Sequence, residues 1–223
     1  MTELQDVQII KSFRRSIGMH IELDGSIVVR APHGMPNFLI KRFLEGHVGW
    51  IDKHRKILAE RPVTSKKKFE HGESFPYLGK PYQLHIGTYK TITIVEDKIL
   101  FPEFLRFRIQ KEMTNWYQKQ AREIIQAFVH EHTQIMGVSY TELYFSDTTS
   151  KWGSCSFDNK LQFNWRLIMA PSIVIRYVVI HELVHTVVKN HSREFWAKVG
   201  AHNPSYRQQR KWLRDHGHTL HEM

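Results

Sequence analysis

The sequence predicts an α+β fold in which a β-rich N-terminal region precedes a helix-rich C-terminal region. Strand and hairpin signals fill the first 101 residues, around one helical segment. A long helical pattern then runs from Pro102 to Met136, and the apolar segment from Ser172 to Val188 is typical of a buried helix. We therefore expect a β-rich region with one helix over residues 1–101. Over residues 102–223 we expect the apolar helix to pack on a small antiparallel sheet.

The N-terminal region opens with strand signals. Apolar and β-branched residues occur in three short segments: Val7–Ile10, His20–Leu23 and Ile27–Arg30. Asp24-Gly25 joins the last two segments and is a strong signal for a hairpin turn. Asn37 is a suitable N-cap, and Phe38–Leu58 has the apolar spacing of a helix, which Gly46 and Gly49 weaken locally.

A polar joint and a second set of strands follow. Arg61–Lys68 contains three consecutive lysines, which favour a solvated loop, with contact to phosphate as the alternative. The segment beginning at Phe75 has the composition of a strand and a turn. Tyr82–Ile86 and Thr91–Val95 have strand patterns, with Gly87 between them. These segments predict a small antiparallel sheet.

The second half begins with the long helical pattern, which Gly137 is expected to end in a left-handed conformation. Val138–Ser146 and Leu161–Trp165 then have strand patterns. Asp158-Asn159, in the polar segment between them, is a predicted hairpin tip. Beyond residue 204 we expect one last amphipathic helix and a histidine-rich tail that frays.

The apolar segment carries the sequence HELVH, in which His181 and His185 are four residues apart. On a helix this spacing places both imidazoles on one face, where they can hold one Zn²⁺ ion. Glu182 lies beside that face and can take a proton from a water molecule on the metal. Many residues of this segment are β-branched and would favour a strand, but its length and caps favour a helix.

A catalytic zinc site needs a third protein ligand, and His191 is the best candidate. A continuing helix would turn this ring away from the other two, so the helix must end before it. We expect the end at Lys189-Asn190, with Asn190 in the left-handed conformation. The alternatives, farther along the chain, are His202, His216, His218 and His221.

The residues around the motif extend this interpretation. HELVHTVVKNHSREFW, preceded by TTSKWGSCS and LQFNWRLIMAP, resembles the YgjP-like metallopeptidase family, which is related to the SprT-like and WLM-type zincins. The resemblance covers about Asp147 to Leu213, and ELDGSIVVRAPHG fits the β-rich region that such proteins carry. It implies a zincin-like catalytic region with His181, His185 and His191 as zinc ligands and Glu182 as the catalytic base. Metzincins have a glycine where Val188 stands, so we do not assign the chain to them.

Zincin peptidases commonly bind an extended substrate along a sheet edge beside the metal, through backbone hydrogen bonds. Either Lys151–Ser154 or Leu161–Trp165 could supply that edge, and an ordinary core hairpin is the alternative. The reaction also needs a donor for the oxyanion. Arg176, His202 and Tyr206 are candidates, and we favour Tyr206.

Composition narrows the class of protein. A chain of 223 residues with 41% hydrophobic and 24% charged residues is typical of a soluble globular protein of one or two domains. Cys155 is the only cysteine, so no internal disulfide can form, and we expect it to be an inert, half-buried thiol. We find no signal peptide and no apolar segment of about 18 residues, and therefore expect a cytoplasmic protein without a membrane partner.

The sequence leaves two functions to weigh. The first is a zinc metallopeptidase that hydrolyses peptide or protein substrates, with Glu182 as general base. The second is a nucleic-acid-associated basic module with a structural metal, suggested by the net charge of +10. A peptidase that acts on nucleic-acid-bound proteins would combine the two. The cations are spread along the whole chain, which favours a role in solubility.

Overall fold

The computed structural model describes residues 7–22, 25–59 and 67–221. Backbone contacts divide the chain into two compact units, Met1–Thr64 and Ser65–Met223. Both units combine helices with strands, so the predicted α+β class is confirmed. The boundary expected after Phe101 lies inside the second unit, and a division at that point stays a prediction.

The first unit contains a three-stranded sheet and two helices. The strands are β1 (Val7–Ser12), β2 (Gly18–Ile21) and β3 (Ile27–Pro32), in the order β1-β3-β2. β1 is parallel to β3, whereas β2 is antiparallel to it. The helices are α1 (Asn37–Glu45) and α2 (Val48–Ala59). One small apolar core joins strand and helix residues: Ile27, Val29, Ala31, Ile40, Leu44 and Ile51.

Three details of this unit differ from the sequence-based expectation or lie beyond it. The single helix expected over Phe38–Leu58 is two helices, because the backbone turns at Gly46, where two hydrogen bonds end α1. Asn37 is the first residue of α1 and Pro36 is its N-cap. Asp24 lies outside the described residues, and Gly25 has the positive φ of +84° that the expected hairpin turn favours.

The second unit contains two sheets. The first has β4 (Ser74–Tyr77), β5 (Lys80–Gly87), β6 (Thr93–Val95) and β7 (Lys98–Pro102), in the order β4-β5-β7-β6. The second has β8 (Glu142–Ser146), β9 (Gly153–Cys155) and β10 (Lys160–Asn164), in the order β8-β10-β9. Both are mixed, which corrects the expectation of antiparallel sheets. β10 lies between its two predecessors, so it is antiparallel to β9 and parallel to β8.

The helices of the second unit surround one large core. They are α3 (Ile109–Met136), α4 (Ser172–Val184), α5 (Arg193–His202) and α6 (Tyr206–His216). A 3₁₀ turn, Glu103–Arg108, precedes α3, so the predicted helix begins later than Pro102. Gly137 ends α3 with a φ of +63°, as predicted. Among the helices described here, none combines the length and apolar character that a bilayer span requires.

The C-terminal tail is folded, which corrects the expectation that it frays. Residues Gly217–His221 form a 3₁₀ helix, and Leu220 is only 3% exposed in the core of the second unit. The ring of His221 stacks on Trp152 with centroids 4.9 Å apart. The tail therefore covers the residue that precedes β9.

α4 occupies the centre of the second unit. It contacts α3, α5, α6 and β9, and most of its residues are buried. The turn between β4 and β5 fixes the segment that leads into it. The N–H of Leu78 donates to the carbonyl oxygen of Ile168 at 2.8 Å, and that of Gly79 donates to Met169 at 3.1 Å. Gly79 also approaches Pro171, the N-cap of α4, so closely that a Cβ atom would lie 2.7 Å from the proline Cα.

We expect Gly79→Ala to destabilise the protein by more than about 2 kcal/mol, because it combines a positive φ with overpacking against Pro171. Gly72→Ala is the matched control. Gly72 has a φ of +84°, but a Cβ atom added there would meet nothing within 4 Å, so only the conformational cost applies. Urea denaturation followed by tryptophan fluorescence measures both. Equal losses in the two variants would show that the contact with Pro171 contributes nothing.

Candidate metal centre

Three histidine rings meet at the C-terminal end of α4. The Nε2 atom of His191 lies 3.2 Å from Nε2 of His185 and 3.1 Å from Nε2 of His181. Nowhere else in residues 7–22, 25–59 and 67–221 do three potential metal-ligating side chains converge in this way. The sequence-based selection of these three histidines therefore matches a real cluster in space.

His191 can reach the other two histidines because α4 ends before it. The helix ends at Val184, and a turn follows in which the N–H of Val188 donates to the carbonyl oxygen of Val184 at 2.9 Å. The helix end expected at Lys189-Asn190 is thus placed too late. Asn190 has no positive φ, so its predicted left-handed conformation is wrong. Instead, its Oδ1 accepts a hydrogen bond from the N–H of Ser192 at 3.1 Å.

Ser192 then starts α5. Its hydroxyl oxygen accepts a hydrogen bond from the N–H of Phe195 at 3.3 Å, which is the usual contact of an N-cap serine. The buried ring of Phe195 lies under all three histidines, at centroid distances of 4.8 Å from His181, 4.4 Å from His185 and 4.8 Å from His191. This phenylalanine forms an apolar floor that fixes the spacing of the imidazoles.

Hydrogen bonding and burial prepare the histidines to act as ligands. Nδ1 of His185 donates to the carbonyl oxygen of Val188 at 3.0 Å, which leaves the Nε2 lone pair directed at the cluster. Burial, together with the smaller effects of His185, His191 and Arg210, lowers the pKa of His181 to about 3. Burial also lowers the pKa of His185. Both rings are therefore neutral near pH 7, as metal binding requires.

The donor set fits a transition-metal ion. Tetrahedral coordination with metal–nitrogen distances of about 2.0–2.1 Å places the ligand nitrogens roughly 3.3 Å apart. The two Nε2 separations given above are close to that value. Three imidazole ligands with no carboxylate ligand suit zinc, copper, iron or nickel better than magnesium or calcium.

The four rival histidines are elsewhere. His202 interacts electrostatically with His132, near α3. His216 packs on Trp212 with ring centroids 5.1 Å apart, and His221 packs on Trp152. None of these, nor His218, belongs to the converging group.

Glu182 lies beside the cluster and is buried, with 5% of its surface exposed. Burial raises the pKa of its carboxyl to about 8, and the charge of Lys151 opposes this shift. The backbone of β9 passes directly against it. A Cβ atom on Gly153 would lie 2.6 Å from Oε1 and 2.7 Å from Cγ of Glu182. Only glycine allows the strand to come this near to the carboxylate.

The structure separates the candidate oxyanion donors. Arg176 points to α3, where its guanidinium donates to Glu131 at 2.7 Å and lies 4.0 Å from the ring centroid of Phe128. Tyr206 stacks on Trp196 at 5.3 Å, and Trp196 in turn stacks on His191 at 5.7 Å, so Tyr206 is linked to the cluster through the tryptophan. The role of Tyr206 as oxyanion donor stays a prediction.

Two further residues at this site were not expected from the sequence. Tyr177 precedes His181 by one helical turn, with ring centroids 5.9 Å apart, and burial raises its pKa to about 12. Arg210 follows Tyr206 by one turn and lies 4.9 Å from the ring centroid of Trp196. Their spacing of four residues from expected site residues is the signal that could have identified them.

Cys155 takes no part in the cluster. Burial raises the pKa of its half-buried thiol, and the Sγ atom lies 3.7 Å from Nζ of Lys189. This agrees with the expectation of an inert thiol.

Comparison with known families agrees with the geometry. The model of the YgjP-like metallopeptidase domain matches residues 15–216. The chain belongs to the YgjP-like metallopeptidase family. Family membership makes it a hydrolase that acts on peptides or proteins with a bound metal ion. A comparison with curated proteins finds no match.

Two solved structures are similar to part of the YgjP-like chain. The crystal structure of the metallopeptidase zymogen of Pyrococcus abyssi abylysin has 17% identity and a TM-score of 0.37, over 40% of this chain and 93% of that one. The zymogen of Methanocaldococcus jannaschii jannalysin has 20% identity and a TM-score of 0.34, over 39% and 89%.

The close approach of Gly153 to Glu182 predicts that a larger residue at position 153 slows hydrolysis. Gly153→Ala should displace the buried carboxylate and lower hydrolysis by about 10²-fold, since a misplacement of about 1 Å costs that much. The metal content should not change. Gly200→Ala is the control, because its added methyl would lie 3.6 Å from Tyr206, an ordinary contact. The measurements are the hydrolysis rate and the metal content per chain. Full activity in Gly153→Ala would contradict the proposed constraint.

Proposed function

We propose that the protein is a zinc-dependent peptidase in which His181, His185 and His191 are the metal ligands and Glu182 is the general base. The observation that carries this proposal is the convergence of three histidines beside one buried carboxylate: Nε2 of His191 lies 3.2 Å from that of His185 and 3.1 Å from that of His181. A closed structural site usually has four protein ligands, often including cysteine, whereas three ligands leave a position open for reaction.

A zinc ion in such a site lowers the pKa of a water molecule and polarises the carbonyl oxygen of the substrate. Glu182 removes a proton from the attacking water as its oxygen bonds to the carbonyl carbon. The same carboxyl then gives the proton to the amine nitrogen as the C–N bond breaks. Burial brings the pKa of Glu182 to about 8, close to neutral pH, which suits a carboxyl group that first takes and then gives a proton.

We further propose that the substrate binds as an extended strand on β9. β9 is at the edge of its sheet, and β10 is its only partner strand in the described part of the chain. Its free edge therefore has backbone groups available for a peptide. Gly153 brings this edge against Glu182, so a peptide on β9 would present its backbone to the base. Of the two segments considered from the sequence, Leu161–Trp165 is unsuitable, because β10 is the central strand.

Tyr206 is the proposed donor to the developing oxyanion. Its hydroxyl oxygen accepts a hydrogen bond from Nε of Arg207 at 3.4 Å, which leaves the hydroxyl hydrogen for the substrate. Stacking on Trp196 holds the ring in place.

The alternative of a nucleic-acid module has weaker support in the described residues than the peptidase. A depression of about 620 Å³ near the start of α3 is lined by four cations, Lys67, Lys68, Arg108 and Lys111. Two of them form ion pairs, Lys67 with Glu73 at 3.8 Å and Arg108 with Glu112 at 3.0 Å. The predictions of nucleic-acid binding and of a cytoplasmic location stay predictions.

The ligand assignment predicts metal content. His185→Ala and His191→Ala should each lower zinc affinity by more than the roughly 10–100-fold that loss of an outer hydrogen-bond partner costs. His202→Ala removes a histidine of the same unit that lies outside the cluster and should keep about one zinc per chain. Metal analysis by mass spectrometry after dialysis distinguishes these cases. Equal zinc in all three variants would refute the assignment. Truncation of the tail is not a suitable control, because it would remove the buried Leu220.

The assignment of Glu182 predicts a separate effect. Glu182→Gln is nearly isosteric but cannot act as a base, so hydrolysis should fall by roughly 10²–10⁴-fold while zinc stays bound. Glu194→Gln, an exposed change on α5, should keep wild-type activity. The test is the turnover of a labelled protein substrate at equal zinc content. Turnover by Glu182→Gln at the wild-type rate would exclude Glu182 as the base.

A further inference from the structure

Three cations lie on segments that border the candidate metal centre. Lys151 precedes β9, Lys189 lies between His185 and His191, and Arg210 lies 4.9 Å from the ring centroid of Trp196. These three cations come from three different segments: the residues before β9, the loop after α4, and α6. An anionic ligand would therefore be attracted from several sides.

One of the three cations, Lys189, forms its hydrogen bonds within the protein. The ammonium of Lys189 donates to the carbonyl oxygen of Ser156 at 2.8 Å and to the side chain of Asn159. It thus ties the hairpin between β9 and β10 to the loop after α4. Its hydrogen-bonding capacity is used in holding the fold.

Arg210 is in a different situation. Its guanidinium lies 4.9 Å from the ring centroid of Trp196, and no carboxylate forms an ion pair with it within the described ranges. Two other cations of α6 do have carboxylate partners, since Lys211 and Arg214 pair with Asp215 at 3.0 and 3.1 Å. Within the described residues, Arg210 therefore has an aromatic partner but no carboxylate partner.

The contact with Trp196 also orients the guanidinium. A guanidinium held over an aromatic face keeps its N–H groups, which lie in its own plane, available to a planar anion. A carboxylate matches this arrangement through two parallel hydrogen bonds. Trp196 itself lies 5.7 Å from the rings of His181 and His191, so this tryptophan connects Arg210 to the histidine cluster.

Lys151 is the cation on the segment that leads into β9. It is exposed, it precedes the edge strand β9, and its ammonium has no ion pair in the part of the chain that the structure covers. A peptide bound along β9 would pass this residue at one end.

We propose that the site selects peptides with a carboxylate close to the scissile bond, and that Arg210 binds this carboxylate while Lys151 adds to the attraction. This inference rests on the proposed peptidase function. The carboxylate can belong to an Asp or Glu side chain or to the C-terminus of the substrate, and the two sources share the same chemistry.

The test is equilibrium binding of short labelled peptides to the full-length, zinc-loaded Glu182→Gln protein, measured by fluorescence anisotropy. One peptide pair differs only by a central Asp or Asn, and a second pair only by a free or amidated C-terminus. We expect the acidic member of one pair to bind roughly tenfold more tightly, the effect of one charge-assisted contact. The pair that responds identifies the source of the carboxylate. Repeating the titrations without zinc separates binding by Arg210 from binding by the metal.

Variants assign the preference to the residues. Arg210→Gln should abolish most of it, Lys151→Gln should reduce it, and Arg210→Lys should keep part of it. Lys211→Gln removes the same charge from the same helix and should leave the preference unchanged. The preference should also weaken with added salt, because the contact is exposed.

Two outcomes would overturn the inference. In the first, the Glu182→Gln protein, with Arg210 and Lys151 unchanged, binds acidic and neutral peptides equally. In the other, Arg210→Gln in the active protein lowers kcat equally for Asp and Asn substrates without changing KM, which would place Arg210 on the reacting carbonyl. Failure of the peptidase proposal has a different signature, namely no hydrolysis of any peptide by the zinc-loaded wild-type protein, and the binding titrations with Glu182→Gln can still be interpreted in that case.

Discussion

α4 and its C-cap residue place His181, Glu182 and His185 in a part of the molecule that is otherwise apolar. Unpaired polar groups in such surroundings cost free energy, and a buried charge costs more. The neighbouring elements reduce this cost at some positions: the carbonyl oxygen of Val188 accepts from His185, and the charge of Lys151 favours the ionised form of Glu182. His181 is not fully compensated, since its Nδ1 is buried without a hydrogen-bond partner in residues 67–221. A bound metal ion would compensate the Nε2 atoms of all three histidines at once.

This constraint explains why the surrounding elements are placed as they are. β9 can pass Glu182 only because Gly153 has no side chain, and the C-terminal 3₁₀ helix covers Trp152, the residue before it. On the opposite side, Ser192 starts α5 so that Phe195 lies under the imidazoles. The local interactions of two loops, each only a few residues long, thus determine the geometry of the whole cluster.

The sequence predicted what depends on local pattern. The α+β class, the left-handed Gly137 after α3 and the grouping of the three histidines follow from composition, capping rules and spacing. The sequence did not predict features that depend on the order of the strands in a sheet. The parallel pairing of β8 with β10 requires knowing that β10 inserts between its neighbours, and no residue pattern encodes that.

The end of α4 shows the same limit at finer scale. Asn190 has the residue type of a left-handed helix end, and the sequence offered no better one. The helix ends at Val184 because the turn through Val188 and the N-cap at Ser192 form a more favourable set of hydrogen bonds. The sequence did not predict a role for Arg210 for a related reason. On an amphipathic helix with many cations, only the contact with Trp196 distinguishes this arginine from the rest.

The site divides its tasks among elements that can change independently. α4 and the loop after it supply the three nitrogens, and β9 fixes the base by backbone contact alone. The two cations proposed to attract the substrate are Arg210 on α6 and Lys151 before Trp152, and neither supplies a nitrogen to the cluster. Substitution at Arg210 or Lys151 therefore alters the field that a substrate meets without moving the metal-binding atoms. A fold arranged in this way can change which peptides it accepts while its hydrolytic chemistry stays the same.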